Sequence, residues 1–445
     1  MLTNKDAKYF FDVLSKLPRG EGAQGVVQNF LIRFATERGL DVYFDSFSNI
    51  LISKIKDDDD SSIAFCVNAE LINKRKPSIF FNKQNYIIKC VKKGDYIFAK
   101  GATLSAQTLG GMALCLELLD SEQISNIEVL FVAQNSGDML GVKGFDVKKL
   151  KSKKLICLVA GEKNAIFKSS PYASSNLLKF NNDRKFIKNS WQLKTFKLTI
   201  DNLPKHLSSY QFLADLLIKI PNVNVNKFMC GCFDGGICKN EMIFTTDISE
   251  IQLKSIIKEI YIQIKKDYPN FILKCFRQIN QTLVMSNRDM IQFVSQFEQG
   301  QVKSQEGVFQ NITSANIVSG FVNFDLLAKD EKTLKKYFDT IRSELKKQDI
   351  DCIMIDEVSG FVCDDDSKLL EMLTKTSSLP VEDYLEKCEA GIFKEKIKGS
   401  EVAILSFEVE NKNQIDEKLK YSSFVNTSVF LKEFINNFFA QTTNN

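Results

Sequence analysis

Three short apolar runs, residues 62–67, 129–133 and 155–160, set the strongest limit on the fold. Each is too short for a helix, and none shows the polar alternation of a strand with one wet face. Each therefore reads as a strand buried on both sides. Around them lie helical patterns at 7–17, 24–39 and 113–119 and further strand patterns at 41–45, 49–53 and 94–100. The first helix ends at Pro18-Arg19-Gly20-Glu21-Gly22, and Gly39 caps the second. Strands alternating with helices predict an α/β domain with a mixed, largely parallel sheet and helices on its faces. In such sheets ligands bind beyond the carboxyl ends of the strands. The loops after Val67, Leu104, Ala133 and Leu158 are therefore where chemistry is expected.

A second region, 169–360, has a different rhythm. It reads as a strand at 196–200, a helix at 209–220, a Gly-rich Cys230 to Cys238 segment and a helix at 248–266. A strand at 317–325, a helix at 333–347 and a strand at 352–358 complete it. This is an α+β pattern. Segments 369–375, 402–409 and 429–439 then restore the first rhythm, so 1–168 and 361–445 read as one discontinuous domain with 169–360 inserted.

Composition narrows the function. Lys and Arg number 59 against 55 acidic residues, a net charge of +4 spread along the chain. That is no nucleic-acid footprint, and the Lys148 to Lys154 cluster reads as a short solvated helix. No window approaches the ~18 apolar residues of a spanning helix, so no membrane insertion is expected. The eleven cysteines, without a signal peptide, point to the reducing cytoplasm and to thiols buried as small hydrophobes. Cys66 and Cys157 sit at strand ends with no histidine nearby to activate them, so they read as packing residues. Cys230, Cys232 and Cys238 offer three sulfurs without a paired C-x-x-C, which leaves both a metal site and ordinary packing open. His206 is the only histidine among 445 residues, so no site in this chain can use two of its own imidazoles.

Several motifs carry a resemblance: Leu17-Pro18-Arg19-Gly20-x-Gly22, then Phe34-Ala35-x-Glu37-Arg38-Gly39-Leu40-x-Val42-Tyr43 ending at Asn49. Ala99-x-Gly101-x-Thr103-Leu104-x-Ala106, Gly235-Gly236-x-x-Lys239-Asn240, Glu389-x-Gly391-Ile392-Phe393-Lys394 and Asp416-Glu417-Lys418 follow in order. In these the chain resembles the aminoacylhistidine (Xaa-His) dipeptidases, exopeptidases with two zinc ions. The resemblance implies a zinc-exopeptidase-like α/β domain, an inserted α+β lid or dimerisation domain, and a homodimer. In that family two histidines and three carboxylates hold the metals, and a glutamate activates the bound water. Here the first histidine falls at Asn68 and its orienting aspartate at Glu70. The bridging aspartate falls at Gln107, and the base and ligand glutamates at Asn135 and Ser136. The next aspartate falls at Val159, the last histidine at Asn413, and a further family histidine near Leu385. Asn240 matches a position that contacts ligand from the inserted domain, and His206 matches either another such position, a histidine, or a basic residue slightly further along.

Neutral side chains at the ligand positions cannot supply the charge that holds zinc. The resemblance therefore implies a degenerate member, with no catalytic residue, no metal and no cofactor. Glu70 and Asn135 would be vestiges of the catalytic machinery, and Asn68, Gln107, Ser136, Val159 and Asn413 of the metal site. The expected role is a binding or scaffolding subunit, with a protein partner in a larger assembly or a peptide or amino-acid ligand. The alternatives are an active metallo-dipeptidase with an atypical metal site, and a peptide or amino-acid sensor using the old cleft.

Overall fold

The computed structural model describes all residues except 1–4, 20–22, 56–61, 73, 76–86, 134–137, 181–185, 189–192, 202–208, 235–236, 270, 281–282, 286–299, 302–306, 317–319, 348 and 443–445. They form two compact units, Met1–Tyr172 with Val358–Asn445, and Ala173–Glu357.

The first unit is built on four parallel strands in the order Ile127–Val132, Ile63–Asn68, Lys154–Gly161, Glu401–Glu410. The expectation of a largely parallel sheet holds only for this centre. On one side the Asp41–Phe44 and Ile50–Lys54 hairpin adds antiparallel strands. On the other, Lys418–Lys420, Tyr96–Ala99 and Cys90–Lys93 do the same. The cause is connection length. Gly94 and Asp95 alone join Cys90–Lys93 to Tyr96–Ala99, and a parallel pair needs a crossover of a dozen residues or more. Gly94 takes the positive φ of that turn, +59°.

Alternation along the central strands makes two cores. Ile63, Phe65, Val67, Val129, Phe131, Ile156, Leu158, Leu405 and Phe407 join one cluster with residues of helices Ala7–Leu14, Ala106–Asp120 and Tyr421–Thr442. Cys66, Leu130 and Cys157, of the other parity, are equally buried on the opposite face, where helix Glu389–Lys396 packs. Helix Ala106–Asp120 is longer than the 113–119 pattern predicts. Its Gly110-Gly111 pair reads as a weak helix former, yet a Cβ on Gly110 would lie 2.7 Å from the Phe407 ring. Close packing on the sheet demands glycine there and offsets its poor propensity. The C-terminal helix likewise starts at Tyr421 rather than 429, because its early serines bond inward: Ser423 Oγ accepts the Glu408 N–H at 2.9 Å.

The second unit carries an antiparallel sheet in the order Ile272–Arg277, Lys194–Asp201, Ile237–Thr246, Asn224–Asp234, Val308–Asn316, Phe321–Ala328, Tyr172–Phe180, Ile350–Val358. The first four strands, with helices Ser209–Lys219 and Glu250–Asp267, have the split βαβ order 4-1-3-2. The last four have the mirrored order 2-3-1-4, with helix Glu331–Lys346. The first half is thus inserted between strands one and two of the second. The described residues of the Gly-rich Cys230 to Cys238 segment form facing strand ends, with Cys232 opposite Lys239 and Phe233 opposite Cys238. The side chains of Cys230, Cys232 and Cys238 lie outside the described residues.

Candidate functional site

The carboxyl ends of the parallel strands converge where chemistry was expected. Asn68 closes the Ile63–Asn68 strand, and its Oδ1 accepts the Glu70 N–H at 2.7 Å in an Asx turn. The Glu70 carbonyl accepts Thr108 Oγ1 at 2.9 Å, which ties this turn to the first helical turn of Ala106–Asp120. Beside Thr108, Gln107 Oε1 accepts the Ala160 N–H at 3.4 Å, near the end of the Lys154–Gly161 strand. Val159 is buried in that strand. Asn413 sits at φ +63°, donates its N–H to Glu417 Oε1 at 2.8 Å, and accepts Lys74 Nζ on its carbonyl at 3.0 Å. Glu70 and Asp138 are half-buried, and Leu385 is exposed. Asn135, Ser136 and His206 lie outside the described residues. Asn240 lies in the second unit, half-buried on strand Ile237–Thr246.

Asn68, Gln107, Val159 and Asn413 do not fit a zinc pair. They supply amide oxygens and an alkyl group where zinc takes imidazole, thiolate or carboxylate. The Asn68 and Gln107 oxygens are moreover engaged by backbone N–H groups of the strand ends. Among the described residues, no three His, Cys, Asp or Glu side chains are grouped so as to hold a metal ion.

The loops are pinned from below by residues that the sequence motifs contain but whose roles were not legible there. Arg19 is fully buried. Its Nη1 donates to Thr103 O at 2.7 Å and Ser105 Oγ at 3.1 Å, and its Nη2 donates to Leu104 O at 2.7 Å. It thereby holds the segment in which Ser105 takes a left-handed φ of +57° just before the helix. Glu417, also fully buried, accepts the Ala106 N–H on Oε2 at 3.1 Å, satisfying an orphan donor at the helix N-terminus. Burial pushes the Glu417 carboxyl above its ordinary range, and the N–H groups of Asn413, Ala106 and Ser105 and the charge of Arg19 pull the other way.

Asn49 does the same work one strand over. Its Oδ1 accepts the Ala133 N–H at 3.0 Å, and its Nδ2 donates to Gly141 O at 2.9 Å and Asp45 Oδ2 at 2.7 Å. Gly141 permits this closeness, since a Cβ there would lie 1.7 Å from Ala133 O. Beneath these loops Cys66 faces Cys157 across the parallel ladder, and Cys388 Sγ donates to Glu389 Oε2 at 3.2 Å. Burial pushes the Cys66 thiol up to about 11, so it makes a poor nucleophile at neutral pH.

Among the described residues no helix is long and apolar enough to cross a membrane. No protein-family model matches the chain, and no curated protein matches its sequence. Solved structures do match. The aminoacylhistidine dipeptidase from Vibrio alginolyticus superposes with a TM-score of 0.59 at 17% identity, covering 98% of this chain and 96% of that one. A tripeptidase from Staphylococcus aureus gives 0.58 at 12% identity, with 98% and 99% covered. Human carnosine dipeptidase 1 gives 0.54 at 9% identity, with 97% of each chain covered. Over nearly its whole length, the chain has the fold of these peptidases.

Proposed function

We propose that this chain is a dipeptidase-like protein that has lost zinc-dependent peptide hydrolysis and acts as a binding or scaffolding subunit. The carrying observation is the donor set at the strand ends. Asn68, Gln107, Val159 and Asn413 stand where metal ligands would be needed, and two of them spend their oxygens on the backbone. His206 is the sole imidazole in the chain, and Glu70 and Asp138 alone make no two-metal site. The frame of Arg19, Asn49 and Glu417 that would present such a site is hydrogen-bonded into the loops.

A homodimer through the second unit goes with this reading. Its outer strand Ile272–Arg277 exposes Phe276, followed by an exposed Ile279, and the adjoining helix exposes Ile251. His206 and Asn240 are the positions we assign to a retained peptide or amino-acid contact, and the cytoplasm is the compartment.

The test is metal analysis of the purified protein together with hydrolysis of Xaa-His dipeptides in added zinc. The expected result is neither bound zinc nor cleavage. Two zinc ions per chain with dipeptide turnover overturn the proposal. A dipeptide that raises the melting temperature without being cleaved would assign the cleft to ligand sensing rather than to scaffolding.

A further inference from the structure

An edge strand offers a row of unpaired N–H and C=O groups, and folded proteins normally guard it with lysines, prolines or bulges. The two outer edges of the first unit's strand path differ in this respect. Cys90–Lys93 ends in exposed Lys92 and Lys93. Among the described residues Asp41–Phe44, at the other end, pairs only with Ile50–Lys54, and it carries no lysine, proline or bulge, its one charged residue being the exposed Asp41. Val42 is 39% exposed and Phe44 49%. By register they stand opposite Ile52 and Ile50, on the face covered by helix Ala23–Glu37, where Val26 is also exposed.

The other face of the strand has a different chemistry. Tyr43 stacks edge-on against Phe145 at 6.5 Å, and Lys149 Nζ lies 5.1 Å from the Tyr43 ring centroid. Lys148 to Lys154 is no helix beyond the single turn Val147–Lys149, which leaves Lys148 exposed next to Lys149, the lysine that lies over the Tyr43 ring. The strand is also held ready. Asp45 Oδ1 accepts the N–H groups of Phe47 and Asn49 at 2.9 Å each, closing the hairpin that Asn49 anchors to Gly141. A rigid edge loses little entropy on pairing.

We propose that the free edge of Asp41–Phe44 docks an acidic, strand-forming segment of a partner protein by strand addition. Backbone hydrogen bonds supply the pairing. Alternation along the added strand places apolar side chains beside Val42 and Phe44 and carboxylates on the Tyr43 face, toward Lys148 and Lys149. The lysines choose the sign of the partner, and the apolar strip limits its length and pattern. This surface is separate from the strand-end site, so the proposal holds whether or not the chain hydrolyses peptides.

The test uses the full chain and fluorescently labelled peptides of alternating Glu and Val, read by anisotropy. Controls are the Lys-for-Glu peptide and a Glu/Val peptide N-methylated at alternate residues. The expected result is salt-sensitive binding of the acidic peptide only, lost on N-methylation and in Val42→Lys, and weakened about tenfold in Lys148→Glu with Lys149→Glu. Melting curves equal to the parent's show that the variants are folded, and Phe44→Lys provides a second guarded edge. Equal binding of the basic peptide, binding unaffected by N-methylation, or no binding of any alternating peptide overturns the proposal. So does a dimer that sedimentation shows to be dissolved by Val42→Lys, because the edge would then belong to a second copy.

Discussion

Removing the Glu417 carboxylate tests whether the strand-end loops are held by the buried frame. Glu417→Ala leaves the N–H groups of buried Ala106 and half-buried Asn413 without their acceptors, at 3.1 and 2.8 Å in the parent. Hydrogen bonds to a charged group contribute ~1.5–3 kcal/mol each, so the two together contribute about 3–6 kcal/mol. Relief of the carboxylate's own desolvation returns part of this, and the net loss is about 3–4 kcal/mol. For a unit of this size that corresponds to a melting-temperature drop of roughly 6–16 °C.

Calorimetry reads the drop, and hydrogen exchange locates it in 103–110 and 411–418. Glu417→Gln keeps one acceptor but turns an NH2 toward amide donors, so its loss should be intermediate. Its pH dependence carries a sign. Because burial raises the Glu417 pKa in the folded state, its protonated form is favoured by folding. That contribution is fully present below the unfolded-state value of about 4.3 and fades as pH rises through the folded-state value. The stability gap between parent and Glu417→Gln should therefore narrow from pH 4 toward neutrality. A Glu417→Ala protein within ~1 kcal/mol of the parent, or one destabilised without lost protection in those two segments, would refute the reasoning.

Two further outcomes follow from close contacts and burial. Gly391→Ala should cost more than ~3 kcal/mol, because its Cβ would lie 1.7 Å from Ser359 O, a backbone atom that cannot swing aside. Gly111→Ala, whose Cβ meets only the Val67 side chain, Cγ1 at 3.4 Å and Cβ at 3.6 Å, should stay within ~1 kcal/mol, and chemical denaturation separates the two. Iodoacetamide at pH 8 should leave Cys66, Cys115, Cys157 and Cys388 unlabelled in the native protein and label all four in denaturant. Burial pushes the Cys66, Cys115 and Cys388 thiols up, and Cys157, though a hydrogen bond with Cys388 pulls it down, is raised overall by its hydrogen bond with Cys66 and by burial; mass spectrometry of the native sample would expose the error if Cys157 reacted.

What was legible in the sequence followed from burial on both faces. Strands such as Ile63–Asn68 and Ile127–Val132 are apolar except for the terminal Asn68 and for Glu128, and stand out without any partner. The second unit was harder to read because its strands carry Lys, Ser, Thr and Asn on one face. In Lys194–Asp201, Phe196, Leu198 and Ile200 are buried while Lys197 and Thr199 are half-exposed. Tyr172–Phe180 and Val308–Asn316, rich in Ser and Asn, gave no strand signal, although Asn176 is buried and bonds to Phe324 O at 3.3 Å. Arg19 and Glu417 were visible only as members of motifs. Their meeting at the start of helix Ala106–Asp120 depends on segments far apart in sequence, which no local pattern encodes.

On the proposed function, the neutral residues at the strand ends would account for loss of a metal site without loss of the fold. Carboxylates left crowded together without their metal would repel one another and draw in protons or water. Amides avoid this. Asn68 turns its oxygen to the Glu70 N–H, and Gln107 turns its own to the Ala160 N–H, so on this proposal the strand ends would bind themselves in place of a metal. That exchange also sets the height of the way back. Gln107→Asp shortens the side chain and withdraws the acceptor from Ala160. Asn68→His gives up the Asx turn that positions Glu70. Each step toward a zinc ligand thus breaks a bond before any metal can compensate for it. Single reversions should lower stability and gain no zinc affinity, because the binding energy of a metal pair appears only once several ligands are present together.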